Sequence, residues 1–305
     1  MNPNTVMQNS IRLGTRGSAL ALAQTNQVKS FIEQAFPDIT VTVIVIRTEG
    51  DIDRSSPLSS FDGRGAFVKR IEEALLDGTI DAGVHSLKDL PSSLPQGLAL
   101  GAVPVREDAR DAVVTRGGMP LAVLPAGAVV GTGSLRRISL TRQLRDDLVY
   151  REIRGNVGTR LAKLDACEYD ALILAAAGLL RLGHGGRITE YLPPESFVPA
   201  PCQGAIGVES RAEDDETLAV LSLADDTEVR LCVEAERAFI ATLGLGCHAP
   251  VGAYAREDGE VTVFTGYAVF DDAPAPLLDT VRAESGSVAA AAVAMAERFK
   301  KSIGR

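Results

Sequence analysis

The sequence predicts an α/β fold with two lobes of alternating strands and helices, followed by a small α+β part. Three observations carry this prediction. Short apolar strands alternate with amphipathic helices from Ile11 onward. The run from Thr40 to Arg47 is nearly continuous in β-branched residues, as buried parallel strands tend to be. The same strand-turn-helix order begins again near Val129, and beyond Asp225 it gives way to alternating strands.

The first lobe begins with a strand from Ile11 to Thr15, a tight turn and a helix for which Ser18 is the expected N-cap. The β-branched run described above follows as the second strand. A helix is predicted around Phe67 to Leu76 and a strand around Ala82 to His85. That strand leads into the proline-bounded loop from Pro91 to Gly97.

The second lobe is predicted to repeat this order, with a Gly-Thr-Gly-Ser turn that resembles the first one. The first lobe has Gly14 to Leu20 at its turn, and Gly131 to Leu135 follow 117 residues later, which is a weak sign of two similarly built lobes. The predicted elements are the strand Ala128–Gly131, a helix carrying Leu135, Ile138 and Leu144, the strand Val149–Ile153, a helix from Val157, and the strand Ala171–Ala175. We expect a boundary or hinge in the proline-rich stretch Pro193–Pro201.

The C-terminal part is predicted as a helix to Leu243, a hairpin around Asp258-Gly259, and a last helix. An apolar stripe on that last helix consists of Val288, Ala292, Met295 and Phe299. The expected domains are residues 1–104 with 200–224, residues 105–199, and residues 225–305.

Composition excludes several classes of protein. The chain has 305 residues and a net charge of −9, from 31 basic and 40 acidic residues, so its overall field repels nucleic acid. Its cysteines (Cys167, Cys202, Cys232 and Cys247) are widely spaced, which predicts reduced thiols and no metal site. The N-terminus has no signal-peptide pattern and no apolar run is long enough to span a membrane, so we expect a cytoplasmic protein.

A local positive charge stands out against this acidic background. The segment Ser134–Arg160 has seven arginines and three acids, a net +4 that leaves −13 for the rest of the chain. Arg136 and Arg137 follow the glycine-rich turn, and Arg154 and Arg160 flank a second one. Arginines at helix N-termini favour binding of a carboxylate or phosphate over a merely solvated face.

Known catalytic motifs are scarce. No GxxxxGK[ST] loop is present, which disfavours ATP, and no GxSxG elbow is present, which disfavours a serine hydrolase. Asp89 follows a buried strand, where ligands of α/β sheets bind, and is a proton carrier, a cation stabiliser or a structural turn residue. Cys247 lies in a glycine-lined loop after a helix and beside His248, and residue-level reasoning leaves its role open.

The chain resembles the porphobilinogen deaminase (hydroxymethylbilane synthase) family from about Ile11 to Tyr254. The motifs that carry the resemblance are Thr15-Arg16-Gly17-Ser18-Ala19-Leu20-Ala21, Thr48-Glu49-Gly50-Asp51, Gly65-Ala66-Phe67-Val68-Lys69, Val84-His85-Ser86-Leu87-Lys88-Asp89-Leu90-Pro91, Gly131-Thr132-Gly133-Ser134-Leu135-Arg136-Arg137, Arg154-Gly155-Asn156-Val157-Gly158-Thr159-Arg160, Pro201-Cys202-Gln203-Gly204 and Gly246-Cys247.

The resemblance implies a transferase that joins four porphobilinogen molecules head to tail, releasing ammonia, to form hydroxymethylbilane in tetrapyrrole and haem biosynthesis. It implies a dipyrromethane cofactor bound through a thioether to Cys247, and Asp89 as the catalytic carboxylate. It further implies two lobes like type II periplasmic-binding proteins, a third domain carrying the cysteine, and a monomer without nucleic-acid or membrane partners.

The resemblance also assigns binding residues, and each pyrrole ring carries an acetate and a propionate that need charged partners in a water-poor cleft. The residues implied for the cofactor, besides Cys247, are Lys88, Ser134, Arg136, Arg137, Asp51 and Gln203. The residues implied for the substrate are Arg16, Ser18, Arg154, Arg160 and Arg181.

The sequence departs from the family pattern at Arg64, where many relatives have lysine, at Glu49, and at Leu245, where Gly is common. The Arg64 departure puts a mobile-loop role for its segment in doubt. The rival interpretation is a non-catalytic solute-binding module that closes on an acidic ligand. A Gly-flanked cysteine in a separate domain and the lack of a signal peptide count against it, and a nucleotide-dependent enzyme ranks third.

Overall fold

A computed structural model describes residues 10–47, 68–245, 249–270 and 275–303 of the chain. The strands are β1 (Ser10–Thr15), β2 (Thr40–Val45), β3 (Ala82–Ser86), β4 (Leu98–Ala102), β5 (Asp111–Thr115), β6 (Val129–Gly131), β7 (Val149–Arg151), β8 (Ala171–Ala175), β9 (Glu190–Tyr191), β10 (Ile206–Arg211), β11 (Val251–Asp258), β12 (Val261–Ala268) and β13 (Leu277–Glu284). The helices are α1 (Ala19–Ala35), α2 (Lys69–Leu76), α3 (Leu135–Leu144), α4 (Val157–Asp165), α5 (Ala176–Arg181), α6 (Asp215–Ser222), α7 (Thr227–Leu243) and α8 (Val288–Ser302).

The chain divides into two compact units. The first comprises residues 1–106 and 205–230, and the second comprises residues 107–204 and 231–305. The chain therefore leaves the first unit, returns to it for β10 and α6, and leaves it again. The finer division into three domains remains a prediction.

The first unit contains a five-stranded sheet in the order β2-β1-β3-β10-β4. β1 pairs in parallel with β2 and β3, whereas β10 runs antiparallel between β3 and β4. Leu13, Val28 and Ile32 are fully buried between this sheet and α1. Ser18 caps α1 as predicted, since its side chain accepts a hydrogen bond from the Ala21 amide.

The second unit contains a five-stranded sheet in the order β7-β6-β8-β5-β9. β6 pairs in parallel with β7 and β8, and β5 runs antiparallel between β8 and β9. Strand by strand, this arrangement is the one found in the first unit, so the repeated turn motif does mark two similarly built lobes. The predicted fold class of two α/β lobes with a small C-terminal α+β part is confirmed.

The C-terminal residues of the second unit form an antiparallel sheet, β11-β12-β13, that packs with α7 and α8. The predicted stripe on α8 is confirmed, because Val288, Ala292, Met295 and Phe299 all lie in one buried cluster. Strand β13 was not predicted. Its side chains alternate between half-buried and exposed, as on an edge strand.

One expectation about burial is wrong, and one helix has an unusual buried face. β2 is parallel as predicted, but it forms the edge of its sheet, and Val45 is 51% exposed because the strand has a neighbour on one side only. In α3, Leu135 and Leu144 are each 54% exposed, and the buried face carries Arg136 and Arg137 with Leu140 and Thr141. A buried carboxylate beside α3, described below, is the physical reason that the arginines lie on the buried face.

None of the helices in the described ranges is long and apolar enough to cross a membrane.

Candidate active site

In the first lobe, a pocket forms where β1 and β3 end at the same edge of the sheet. The chain leaves β3 through a short 3-10 turn, Leu87–Asp89, which places Asp89 at the surface. Arg16, Ser18, His85 and Asp89 line this pocket together. The structure thus brings a guanidinium, a hydroxyl and a carboxylate to the carboxyl ends of parallel strands, where open α/β sheets bind ligands.

Local hydrogen bonds fix the wall of this pocket. The Ser86 hydroxyl donates to Oε1 of Gln24 at 3.0 Å, which ties the end of β3 to α1. Ser18 Oγ accepts from the Ala21 amide at 3.2 Å and so holds the first turn of α1 in place. Lys88 precedes Asp89 in the 3-10 turn and is exposed.

In the second lobe, Arg136 and Arg137 bind one buried carboxylate, that of Asp111. Arg136 Nη1 lies 2.7 Å from Oδ2, and Arg137 donates to Oδ1 from Nε at 2.9 Å and from Nη2 at 2.7 Å. The arginines also donate to backbone carbonyls, Arg136 to Val198 at 2.6 Å and Arg137 to Ile173 at 2.9 Å. Sequence reasoning missed Asp111. Its only signal is an acid at the start of an otherwise apolar strand.

The electrostatics of this cluster are dominated by burial and by mutual attraction. Burial alone would raise the pKa of Asp111, but the charges of Arg136 and Arg137 and their hydrogen bonds hold it well below its usual range. Burial lowers the pKa of Arg136, and Asp111 offsets part of that effect. Two guanidiniums and one carboxylate leave a net charge of +1, so the cluster is attractive to an anion.

Gln203 joins the cluster from a loop with an unusual backbone. Its Nε2 donates to Oδ1 of Asp111 at 3.1 Å and to the Ala109 carbonyl at 2.8 Å. Its neighbours Cys202 and Gly204 have φ values of +60° and +88°. Oε2 of the fully buried Glu236 accepts from the Cys202 amide at 2.5 Å, which stabilises this strained conformation.

The remaining predicted residues of the second lobe lie at helix ends. Ser134 is the N-cap of α3 and accepts from the Arg137 amide at 3.4 Å. Arg154 lies before α4, and its Nη2 donates a hydrogen bond to Oε1 of Glu152 at 2.8 Å. Arg160 Nε donates to the Gly155 carbonyl at 2.8 Å. Both arginines are half-buried, and so they reach solvent at the glycine-rich turn.

Arg181 ends α5 and donates from Nη2 to the Gly204 carbonyl at 2.8 Å. Burial lowers the pKa of Arg181, and the negative charge of Glu107 offsets part of that effect. Arg181 Nε is buried and has no hydrogen-bond partner among the described residues. Such an unsatisfied donor costs stability unless a ligand accepts a hydrogen bond from it.

Two predicted residues, Cys247 and Asp51, lie outside the described residues, as do Glu49 and Arg64. The described residues nevertheless test whether a dipyrromethane fits. Its acetate and propionate groups require cations and N–H donors, and the second lobe supplies a cluster of net positive charge beside the capped N-terminus of α3. The donor set therefore fits a polycarboxylate. Across the described ranges, no group of three or more His, Cys, Asp or Glu side chains is placed to hold a metal ion.

Comparison with known families matches most of the chain. Residues 11–219 match the family model described as "Porphobilinogen deaminase, dipyromethane cofactor binding domain". Residues 230–273 match the one described as "Porphobilinogen deaminase, C-terminal domain".

Individual relatives are similar over more than four fifths of the chain. The porphobilinogen deaminase of Roseiflexus sp. (strain RS-1) is 50% identical over 260 residues, which cover 85% of this chain and 86% of that protein. The porphobilinogen deaminase of Syntrophobacter fumaroxidans (strain DSM 10017 / MPOB) is 50% identical over 254 residues, which cover 83% of this chain and 82% of that protein. Among solved structures, the methionine binding protein MetQ is 12% identical, with a TM-score of 0.45, over 73% of this chain and 92% of that chain.

Proposed function

The chain belongs to the porphobilinogen deaminase family, and we propose that Asp89, Cys247 and the arginines of the second lobe carry its reaction. The enzyme is a transferase that condenses four porphobilinogen molecules head to tail, with release of ammonia, to hydroxymethylbilane in tetrapyrrole biosynthesis. Its cofactor is a dipyrromethane. When bound, that group supplies the primer on which the product chain grows.

The observation that carries the residue assignment is the pocket of the first lobe. It holds Asp89 together with Arg16 and Ser18 at the ends of β1 and β3. Arg16 and Ser18 bind the carboxylate arms of the incoming pyrrole, the first by charge and the second as a neutral donor. The exposed Asp89 carboxylate stabilises positive charge on the pyrrole nitrogen and accepts the proton that coupling releases.

The cations of the second lobe and Lys88 of the first hold carboxylates of the cofactor and of the growing chain. Arg136 and Arg137 act here through the net +1 that they keep after pairing with Asp111. Gln203 orients that cluster, and Ser134 adds a neutral donor at the α3 N-terminus. Arg154, Arg160 and Arg181 bind substrate carboxylates, and Asp51 contacts the cofactor. A carboxylate bound by arginines in a dry site is stabilised more than it would be in water.

Cys247 holds the cofactor through a thioether, which requires one attack by its sulfur and no regeneration of the thiol. We further propose that the enzyme works as a cytoplasmic monomer. No specific observation favours the solute-binding alternative over catalysis.

The intact mass of the denatured protein tests this assignment. The wild type should carry an adduct equal to two porphobilinogens less two ammonias, and the Cys247→Ala variant should not. Cys167→Ala is the matched control, since Cys167 is a free and exposed cysteine to which no cofactor role is assigned, and it should retain the adduct. If the wild type is a bare chain and stays bare after incubation with porphobilinogen, the enzyme assignment fails.

A further inference from the structure

His85 and Glu209 form a buried acid-base pair behind the Asp89 pocket. β3 and β10 are antiparallel with Gly83 opposite Glu209, and His85 lies two residues beyond Gly83, on the same face of the sheet. His85 Nε2 lies 3.3 Å from Glu209 Oε2. His85 is 6% exposed and Glu209 is fully buried.

The absence of a side chain at position 83 makes this approach possible. A Cβ on Gly83 would lie 3.1 Å from His85 Nε2 and 2.5 Å from Cγ2 of Ile71. The imidazole therefore occupies the space above Gly83 as it reaches across β3 toward β10. A larger residue there would force the ring away from Glu209.

Neither member of the pair is satisfied by ordinary hydrogen bonds. Within the described ranges, His85 Nε2 and both carboxylate oxygens of Glu209 are buried without a hydrogen-bond partner. A lone buried carboxylate is costly, and a proton shared between the two side chains removes most of that cost. The pair is therefore arranged to hold one exchangeable proton.

The pair has charged neighbours toward the pocket and toward the surface. On the pocket side, His85 lines the same wall as Arg16 and Asp89. On the other side, the half-buried Glu72 of α2 has its pKa raised, first by burial and then by the charge of Glu209, while His85 lowers it. Ile71 of α2 lies against Gly83, so the next residue, Glu72, belongs to the helix that packs over the pair, and its charge interacts with those of both groups.

We propose that His85, Glu209 and Glu72 form a proton-transfer chain that leads from the Asp89 pocket to the protein surface. This inference rests on the proposed function. Each condensation forms one C–C bond and breaks one C–N bond and one ring C–H bond. Asp89 takes the ring proton in the pocket, His85 receives it there, and Glu209 and Glu72 pass it to water, where the released ammonia becomes ammonium. No electrons are gained or lost, and Asp89 is ready for the next condensation.

The proton-transfer chain acts through Asp89, so its removal should slow turnover without preventing cofactor loading. We expect His85→Ala and Glu209→Gln to carry the dipyrromethane adduct and to keep KM within about threefold of wild type, while kcat falls by about tenfold or more. Added imidazole should raise the kcat of His85→Ala at least fivefold, and should leave that of Glu209→Gln unchanged. Glu73→Gln is the matched control, because Glu73 is the exposed neighbour of Glu72 on α2, and its kcat should equal wild type.

The outcomes separate the possibilities. The proton-transfer chain is wrong if the kcat of either variant falls by less than about tenfold, or if imidazole does not raise the kcat of a folded His85→Ala protein. If His85→Ala does not fold, the Glu209→Gln variant tests the proposal alone. A tenfold lower kcat with an unchanged melting temperature supports the proton-transfer chain, and a smaller loss of kcat overturns it. A wild-type protein without adduct and without turnover would instead refute the proposed function.

Discussion

Asp111 accepts a 2.7 Å hydrogen bond from Nη1 of Arg136, and both side chains are buried. Arg137 binds the other carboxylate oxygen, so one acid of β5 holds both arginines of α3 in fixed positions. Arginines oriented in this way lose little side-chain entropy when an anion arrives. Asp111 is therefore as important to the proposed anion site as the arginines themselves.

Replacing Asp111 should destabilise the protein severely. Asp111→Asn leaves two buried guanidiniums without a counter-charge, and we expect the free energy of unfolding to fall by about 3 to 5 kcal/mol. Asp147→Asn is the control, because Asp147 pairs with Arg145 at the surface and should cost less than about 1 kcal/mol. Urea denaturation at pH 7 measures both changes. Equal changes would contradict the central role of Asp111.

The same carboxylate should give stability an acid dependence. Its pKa is depressed in the folded protein, because the attraction of Arg136 and Arg137 outweighs the effect of burial. Its contribution is therefore complete above its unfolded pKa of about 3.9 and is lost as pH falls below that value, by up to about 1.4 kcal/mol per pH unit. The difference in unfolding free energy between wild type and Asp111→Asn should be constant from pH 7 to 5 and should shrink toward pH 3. A difference that does not vary with pH would show that the pKa of this carboxylate is the same in the folded and unfolded states, and that the arginines do not depress it.

Asp89→Ala should separate cofactor loading from turnover. Asp89 is exposed in a 3-10 turn, so its removal leaves no buried cavity and should not affect folding. We expect an intact dipyrromethane adduct and a kcat at least about 100-fold lower than wild type. Asp38→Ala, at an exposed turn of the same lobe, is the control and should turn over normally. Near-normal turnover in Asp89→Ala would remove this residue from catalysis.

Arg154→Gln should weaken substrate binding. Arg154 is half-buried at the glycine-rich turn before α4, and the loss of a charged hydrogen bond to a carboxylate costs about 1.5 to 3 kcal/mol, or roughly 10- to 100-fold in KM. The matched control is Arg187→Gln in the same lobe, since Arg187 pairs with Asp165 away from that turn. Steady-state kinetics at varied porphobilinogen concentration give the KM of both variants. A KM for Arg154→Gln that equals the control value would exclude it from the site.

Gly204→Ala should destabilise the loop that carries Gln203. The residue has a φ of +88°, and an added Cβ would overlap the backbone carbonyl oxygen of Glu107. Gly118→Ala is the control, because Gly118 has a φ of +71° and open space around it. We expect Gly118→Ala to cost about 1 kcal/mol, and Gly204→Ala about 3 kcal/mol or more with lower kcat. Thermal melting of both variants tests whether the close contact adds to the strain.

Local patterns predicted much of the fold. Ser18 and the alternation of elements located the lobes, and the stripe ending at Phe299 located the buried face of α8. These signals depend on neighbours within one or two turns of the chain, so the sequence contains them directly. The exposure of β2 was predicted wrongly, and the buried face of α3 was not predicted, because burial also depends on what lies across from an element.

By itself, the sequence determined the class of the fold, the glycine-rich turns and the family to which the chain belongs. Only the tertiary structure decided which charges meet. Asp111 and Glu209 lie on the antiparallel strands β5 and β10, which insert between strands from other parts of the chain. His85 meets Glu209, which lies 124 positions further along the sequence. Strand pairing over such distances follows from the burial of the whole sheet, and no local pattern of residues records it.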